Sequence, residues 1–307
     1  MKKIKLLCAL FLALTLVACG GGMDKINAKG ENTVDGYMNY EILYSQKTSK
    51  IEPPILNGYY TYYKAKQTEN ILVDLVMKVE NISDKEIALK DLKGVFKIDD
   101  NEYTATKILE KSDTSLSVSG SIATKETKVI HMYAEVGSKT DLTKDIQFNL
   151  TANEKEAELT YKLSDLERQK EYQKSGYVLK DENAEITLKK IKMTDTLNPS
   201  KPSSFYRYYK TSSNKTFTAL EVSIKNVGKE DLSSSKLVGA KVFVDGTQYN
   251  GELIIEDDKQ ANLTTVSTIK AGESRKAYLA AEVPSEAKNK SIEVSVYYAG
   301  QEVYIKK

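Results

Sequence analysis

Few side chains in this sequence are equipped for catalysis. A nucleophile–base enzyme needs a group that takes a proton near neutral pH, and the only histidine is His131. No Gly-x-Ser-x-Gly elbow, phosphate-binding loop or spaced zinc-ligand set occurs. Paired carboxylates can act across a glycosidic bond, and Asp99-Asp100 and Glu256-Asp257-Asp258 are the obvious clusters. The first reads as hairpin-turn chemistry and the second as an exposed loop; neither has the spaced oxygen ligands of a dedicated Ca²⁺ loop. Aromatic groups are the better candidates. Tyr59, Tyr60, Tyr62 and Tyr63 form one cluster, and Phe205, Tyr206, Arg207, Tyr208 and Tyr209 form another. In an extended chain, neighbouring side chains point to opposite faces, so the members of each cluster cannot all face inward. Either one set lies outside, or both pack, one inward and one beneath the loops 47–57 and 196–204. An outward phenol can stack on sugar rings or anchor a protein interface, and Arg207 can add hydrogen bonds there. The expected mode of action is binding, with no catalytic residue, cofactor or metal.

The N-terminus carries an address. Lys2, Lys3 and Lys5 precede about a dozen mostly apolar residues up to Val17, too short for the roughly twenty that span a bilayer. Leu16-Val17-Ala18-Cys19-Gly20 then presents small residues and a cysteine where a secretory signal usually shows Ala-x-Ala. This run resembles the lipobox of bacterial lipoproteins, in which Cys19 is diacylated and becomes the first mature residue. Cys8 lies in the segment that is removed, so one mature chain keeps a single cysteine and no internal disulfide. Each buried methylene of an acyl chain contributes about 0.8 kcal/mol, so two chains give durable attachment to a membrane.

Composition narrows the remaining classes. There are 45 basic and 43 acidic residues, and removal of the three leading lysines takes the formal charge from +2 to −1. A concentrated basic face for nucleic acid is missing. Lysine greatly outnumbers arginine, so bidentate phosphate recognition is poorly supplied. Tyrosine occurs 20 times and tryptophan never, and Thr, Val, Ile and Tyr recur in short alternating runs typical of half-buried strands.

The chain also contains itself twice. The tyrosine-rich segment returns about 146 residues later. The run from Val73 to Asn81 is answered by Thr218 to Asn226, with Leu75, Met77 and Val79 matched by Leu220, Val222 and Ile224. Ile98 to Tyr103 is answered by Val244 to Tyr249, and Ile122 to Glu126 by Ile269 to Glu273. His131 then falls opposite Tyr278, a substitution that a packing ring explains better than a catalytic one. Each copy offers about seven or eight short strands with turn chemistry between them. In the second copy they are expected near 185–193, 217–226, 240–245, 248–255, 275–283, 291–298 and 301–305. Asp245-Gly246 is a hairpin cue, and Asn81 and Asn226 can close turns on their own backbone. Between the copies, Ser164-Asp165-Leu166-Glu167 has the form of a capping box, which predicts a short helix to about Lys174 stopped by Gly176.

A tyrosine-rich start, an apolar strand closed by Asn, an Asp-containing hairpin and a Gly-Glu turn before a late strand resemble one known family. It is the telokin-like, immunoprotective-antigen-like family of immunoglobulin-like β-sandwiches, found in secreted bacterial lipoproteins and largely without assigned function. The resemblance covers about 36–161 and 177–307; the first copy departs in having Thr124-Lys125-Glu126 where the family usually shows Gly-Glu. No catalytic residues come with it. The expected protein is all-β, two tandem immunoglobulin-like antiparallel β-sandwiches joined by a short helical connector. Its parts are a lipoprotein signal peptide at 1–18, a flexible tether at 19–36, sandwiches at 37–161 and 177–307, and a connector at 162–176. The expected protein sits on the extracytoplasmic face of the membrane, on a Gram-positive surface. Its partners there are the membrane through the lipid anchor and an extracellular protein or cell-wall glycan, with no nucleic acid. The alternative is an envelope enzyme or enzyme accessory acting on that glycan.

Overall fold

Period-two alternation sends every second side chain of a strand to one face, and in the computed structural model it builds two sandwiches with separate cores, antiparallel except for the parallel edge pair of Asp24–Lys25 with Lys155–Tyr161. The structure describes residues 23–56 and 60–307; the expected signal peptide, Cys19 and Tyr59 lie outside them.

In the first sandwich the six-stranded sheet runs, in spatial order, Ser115–Ser117, Thr106–Ser112, Thr127–Val136, Ile71–Asn81, Met38–Thr48 and Glu31–Val34. Facing it are Asp24–Lys25, Lys155–Tyr161, Ile146–Ala152, Lys93–Ile98 and Asn101–Thr104. Leu75, Met77, Ile130 and Met132 from one sheet meet Phe96, Phe148 and Leu150 from the other in a single core. In the second sandwich nine strands form one continuous sheet folded over on itself. Its strands fall within a residue or two of the seven expected spans.

The fold-over happens along Thr247–Glu256, a strand shared by both layers. Residues 247–251 pair with Gly239–Val244, and residues 252–255 pair with Ser274–Pro284. The first copy breaks the same strand at Ala105, between Asn101–Thr104 and Thr106–Ser112. At this corner two backbones approach until only one of the facing residues can carry a methyl group. A Cβ on Gly94 would lie 3.0 Å from that of Ala105, and a Cβ on Gly251 would lie 2.9 Å from that of Ala240. Each copy keeps one glycine and one alanine there, with the order exchanged.

Asn81 and Asn226 close their strands as expected. Asn81 Nδ2 donates to the carbonyls of Lys85 and Ile122 at 2.7 and 2.9 Å. Asn226 Nδ2 donates to those of Glu230 and Ile269 at 2.7 and 2.8 Å. Lys125, at φ 64°, takes the left-handed position that Gly272 holds at φ 79° in the second copy, so the departure from Gly-Glu leaves the turn intact. Asp99-Asp100 and Asp245-Gly246 are both positive-φ hairpin turns.

Two expectations about the connecting segments are overturned. The connector contains no α-helix: Leu163–Leu166 is one 3₁₀ turn without a side-chain cap. Leu163 and Leu166 are three apart and both enter the first core, which the tighter turn allows. Beyond it the backbone donors join a sheet edge instead of a helix: Gln173 N donates to Tyr304 O at 2.7 Å, and Tyr304 N to Glu171 O at 2.8 Å. The stretch expected as a tether becomes strand from Asp24 onward. Asp24–Lys25 pairs with Lys155–Tyr161, Glu31–Val34 pairs with Met38–Thr48, and Ile26 between them is buried in the core.

Candidate functional site

The described part of each aromatic segment lies over the outer face of its own sandwich's sheet. In both copies the cover is pinned by a two-residue strand pair, Lys50–Ile51 with Tyr63–Lys64 and Thr196–Leu197 with Tyr209–Lys210. Tyr63 packs on Ile51, Leu72, Ile108 and Leu116, and Tyr209 on Leu197, Phe217, Ile254 and Leu263. These two tyrosines are therefore packing residues. Tyr60 is half-buried where the sandwiches meet: its hydroxyl donates to Glu52 Oε1 at 3.4 Å and accepts from Asn250 Nδ2 at 3.0 Å. Tyr62, Tyr206, Arg207 and Tyr208 are exposed, and Phe205 is 95% exposed.

The exposed tip of the second copy stands on a braced base. Arg207 N donates to Asn262 Oδ1 at 2.8 Å, and Leu263 N donates to Arg207 O at 3.0 Å. Asn262 is held in turn by Asp257, whose Oδ2 accepts its Nδ2 at 2.8 Å. Burial pushes the Asp257 carboxyl up, but hydrogen bonds from Asn262 and from nearby backbone N–H groups outweigh it and hold its pKa low. Glu256, expected in an exposed loop with Asp257 and Asp258, instead ends a strand and is buried, accepting from Ser200 N at 2.6 Å. Glu256 and Asp257 thus brace the loop. The Tyr206 and Tyr208 rings lie 5.6 Å apart and are tilted by 47°.

On the first copy the same outer face holds a charged cluster that the sequence reading missed. His131 is not an apolar packing ring. Its Nδ1 lies 3.0 Å from Asp74 Oδ2 and its Nε2 3.1 Å from Glu110 Oε1, and Gln46 Nε2 donates to Asp74 Oδ2 at 2.9 Å. Burial pulls the imidazolium pKa down, but Asp74 and Glu110 together outweigh burial and set it at about 10. Both ring nitrogens are engaged by carboxylates, which favour the protonated ring and make it the cation between two acids. The discoverable signal was Asp74, a charge inside an apolar strand that faces Ala219 in the repeat.

The second sandwich docks over this cluster. Arg168 lies 4.5 Å above the Tyr44 ring and pairs with Glu302. Tyr297 donates to Asp113 at 2.8 Å, and Gln248 to Glu52 at 2.9 Å. A cavity of about 90 Å³ remains between them, lined by Tyr44, Lys50, Glu52, Arg168 and Lys241 among others. Burial lowers the Lys241 pKa, an effect that Glu302 and Glu52 oppose. Chemically this is a charge-paired clamp between domains.

Residues 173–303, which span the second sandwich, match the model of a family described as a domain of unknown function (DUF4352). Among solved structures, an uncharacterised β-sandwich protein from Clostridium difficile 630 aligns at 23% identity, covering 45% of this chain and 94% of its own, with a TM-score of 0.42. A conserved hypothetical protein from Bacillus anthracis aligns at 16% identity, covering 43% of this chain and 93% of its own, with a TM-score of 0.30. A lipoprotein candidate from Bacillus subtilis aligns at 19% identity, covering 44% of this chain and 39% of its own, with a TM-score of 0.26. No curated protein matches the chain. Among the described residues no helix is long and apolar enough to cross a membrane.

Proposed function

We propose that this chain is a lipid-anchored, extracytoplasmic surface protein with two telokin-like sandwiches, and that it works by binding through the aromatic tip of its second sandwich. One observation carries the reading: Phe205 is 95% exposed beside exposed Tyr206, Arg207 and Tyr208, on a loop whose base is hydrogen-bonded in place. A chain gains by burying such a side chain, by about 1.5–3 kcal/mol, so a contiguous exposed set on a braced support marks a contact surface. The engagement of both His131 ring nitrogens by Asp74 and Glu110 supports binding over catalysis. The anchor rests on the basic start, the short apolar run and Cys19.

Placing a photo-crosslinker at position 208 and irradiating intact cells tests the reading. Capture of a discrete partner is expected, with loss of capture on Tyr206→Ala. Equal capture by the two proteins would discard the tip as the contact surface. For the anchor, Cys19→Ala is expected to release the protein from membranes, and unchanged membrane association would count against lipidation.

A further inference from the structure

We propose that the Phe205–Tyr208 tip is a second membrane contact, a wedge that enters the headgroup region of an anionic bilayer; this rests on the reading of that tip as the contact surface. Charge points to an anionic partner. From Thr196 to Leu220 the chain has four basic residues, Lys201, Arg207, Lys210 and Lys215, and no Asp or Glu. Lys215 is paired with Glu282, which leaves three cations around the tip. On the facing turn the Asp257 carboxylate is occupied in holding Asn262, and Asp258 is balanced by its neighbour Lys259. The corresponding loop of the first sandwich is different, because Glu52 and Glu69 accompany its lysines.

Shape then selects a bilayer. A sugar platform needs flat ring faces, usually with carboxylates to hold hydroxyls, whereas the Tyr206 and Tyr208 rings are tilted by 47° and the segment has no acid. Phe205 projects from the loop with 95% of its surface free, a single apolar knob and not a flat platform. Lipid can close around such a projection. Tyrosine rings with wet hydroxyls suit the headgroup level, and Arg207, Lys201 and Lys210 suit the phosphates beside it. An acylated Cys19 would attach the chain to the same membrane, the first sandwich beginning at Asp24 about five residues later.

The chain has no tryptophan, so Phe205→Trp places its one tryptophan at the tip, where it can be excited selectively over the tyrosines. The full chain carrying this change is mixed with vesicles of equal phosphatidylcholine and phosphatidylglycerol, with brominated acyl chains as the quencher. The signal is local to position 205, whatever holds the N-terminus at the bilayer. The expected result is blue-shifted emission and quenching. In the same background Arg207→Glu is expected to need about tenfold more lipid for half-maximal quenching. Unshifted, unquenched emission would overturn the proposal. If that occurs while capture on intact cells still depends on Tyr206, the tip remains a contact surface and its partner is a protein or glycan. If capture also fails, both readings fall.

Discussion

The outer faces of the two sandwiches occupy the same place in the repeat and have opposite fates. On the first, Asp74, Glu110 and His131 make a charged patch over which the second sandwich docks, and Tyr60 is absorbed into the contact. On the second, Ala219 and Tyr278 stand where Asp74 and His131 stand in the first, and with Phe217, Ile254 and Leu263 they seal a small apolar core under the loop. The backbone framework hardly differs: both loops are pinned by the same strand pair, and Tyr63 and Tyr209 fill the same position. What the difference teaches is that two substitutions on a shared scaffold separate a face that receives a neighbour from one that closes on itself and leaves its tip free.

The largest effect should come from breaking the clamp. His131→Leu leaves two carboxylates facing each other without their cation and is expected to cost about 3–5 kcal/mol in urea unfolding. Tyr278→Phe, the equivalent site, loses one hydrogen bond to Asn198 O and should cost only about 1 kcal/mol. Similar costs at both positions would end the comparison.

The same interaction can be read through pH. The folded-state pKa of His131, about 10, lies above its ordinary 6.5. Its stabilising contribution is therefore complete below about pH 6.5 and is lost as pH rises through 10. Unfolding free energies measured across this window should fall for the wild type, and His131→Leu should remove that part of the slope.

A smaller effect should be common to both copies. Asn81→Ala and Asn226→Ala each remove two donated hydrogen bonds from a buried side chain. Each is expected to cost about 1–3 kcal/mol, with the two values close to one another. Calorimetry of the two variants would check this, and a large disparity would mean that the shared scaffold is not equally built.

The smallest effect belongs to the tip. Phe205→Ser and Tyr208→Ser should change stability by less than about 0.5 kcal/mol, whereas Tyr209→Ala beneath them should cost about 2–3 kcal/mol. Thermal melts of the three proteins suffice, and a large loss at Phe205 would show that it is a packing residue.

The features legible in the sequence were those set by local rules. Alternation placed the strands, Asp245-Gly246 placed a hairpin, and the repeated Asn81 and Asn226 marked the same turn twice. The clamp was hidden because His131 meets partners 57 and 21 residues away, Asp74 and Glu110, joined only by strand pairing. The capping pattern at Ser164 misled because its neighbours Leu163 and Leu166 are claimed by the first core, a tertiary demand that outweighs a local one. The aromatic clusters were visible as clusters. Which one stays outside depends on where the second sandwich docks, and no single segment encodes that.

Hydroxyl-radical footprinting of purified protein and of intact cells puts the contrast between the two loops to its most direct test. In the purified protein Phe205, Tyr206 and Tyr208 should be modified readily and Tyr60 and Tyr63 weakly; on cells the first three should become protected and the other two stay unchanged. Equal modification of Phe205, Tyr206 and Tyr208 in both samples would contradict a role for the second sandwich's tip in binding.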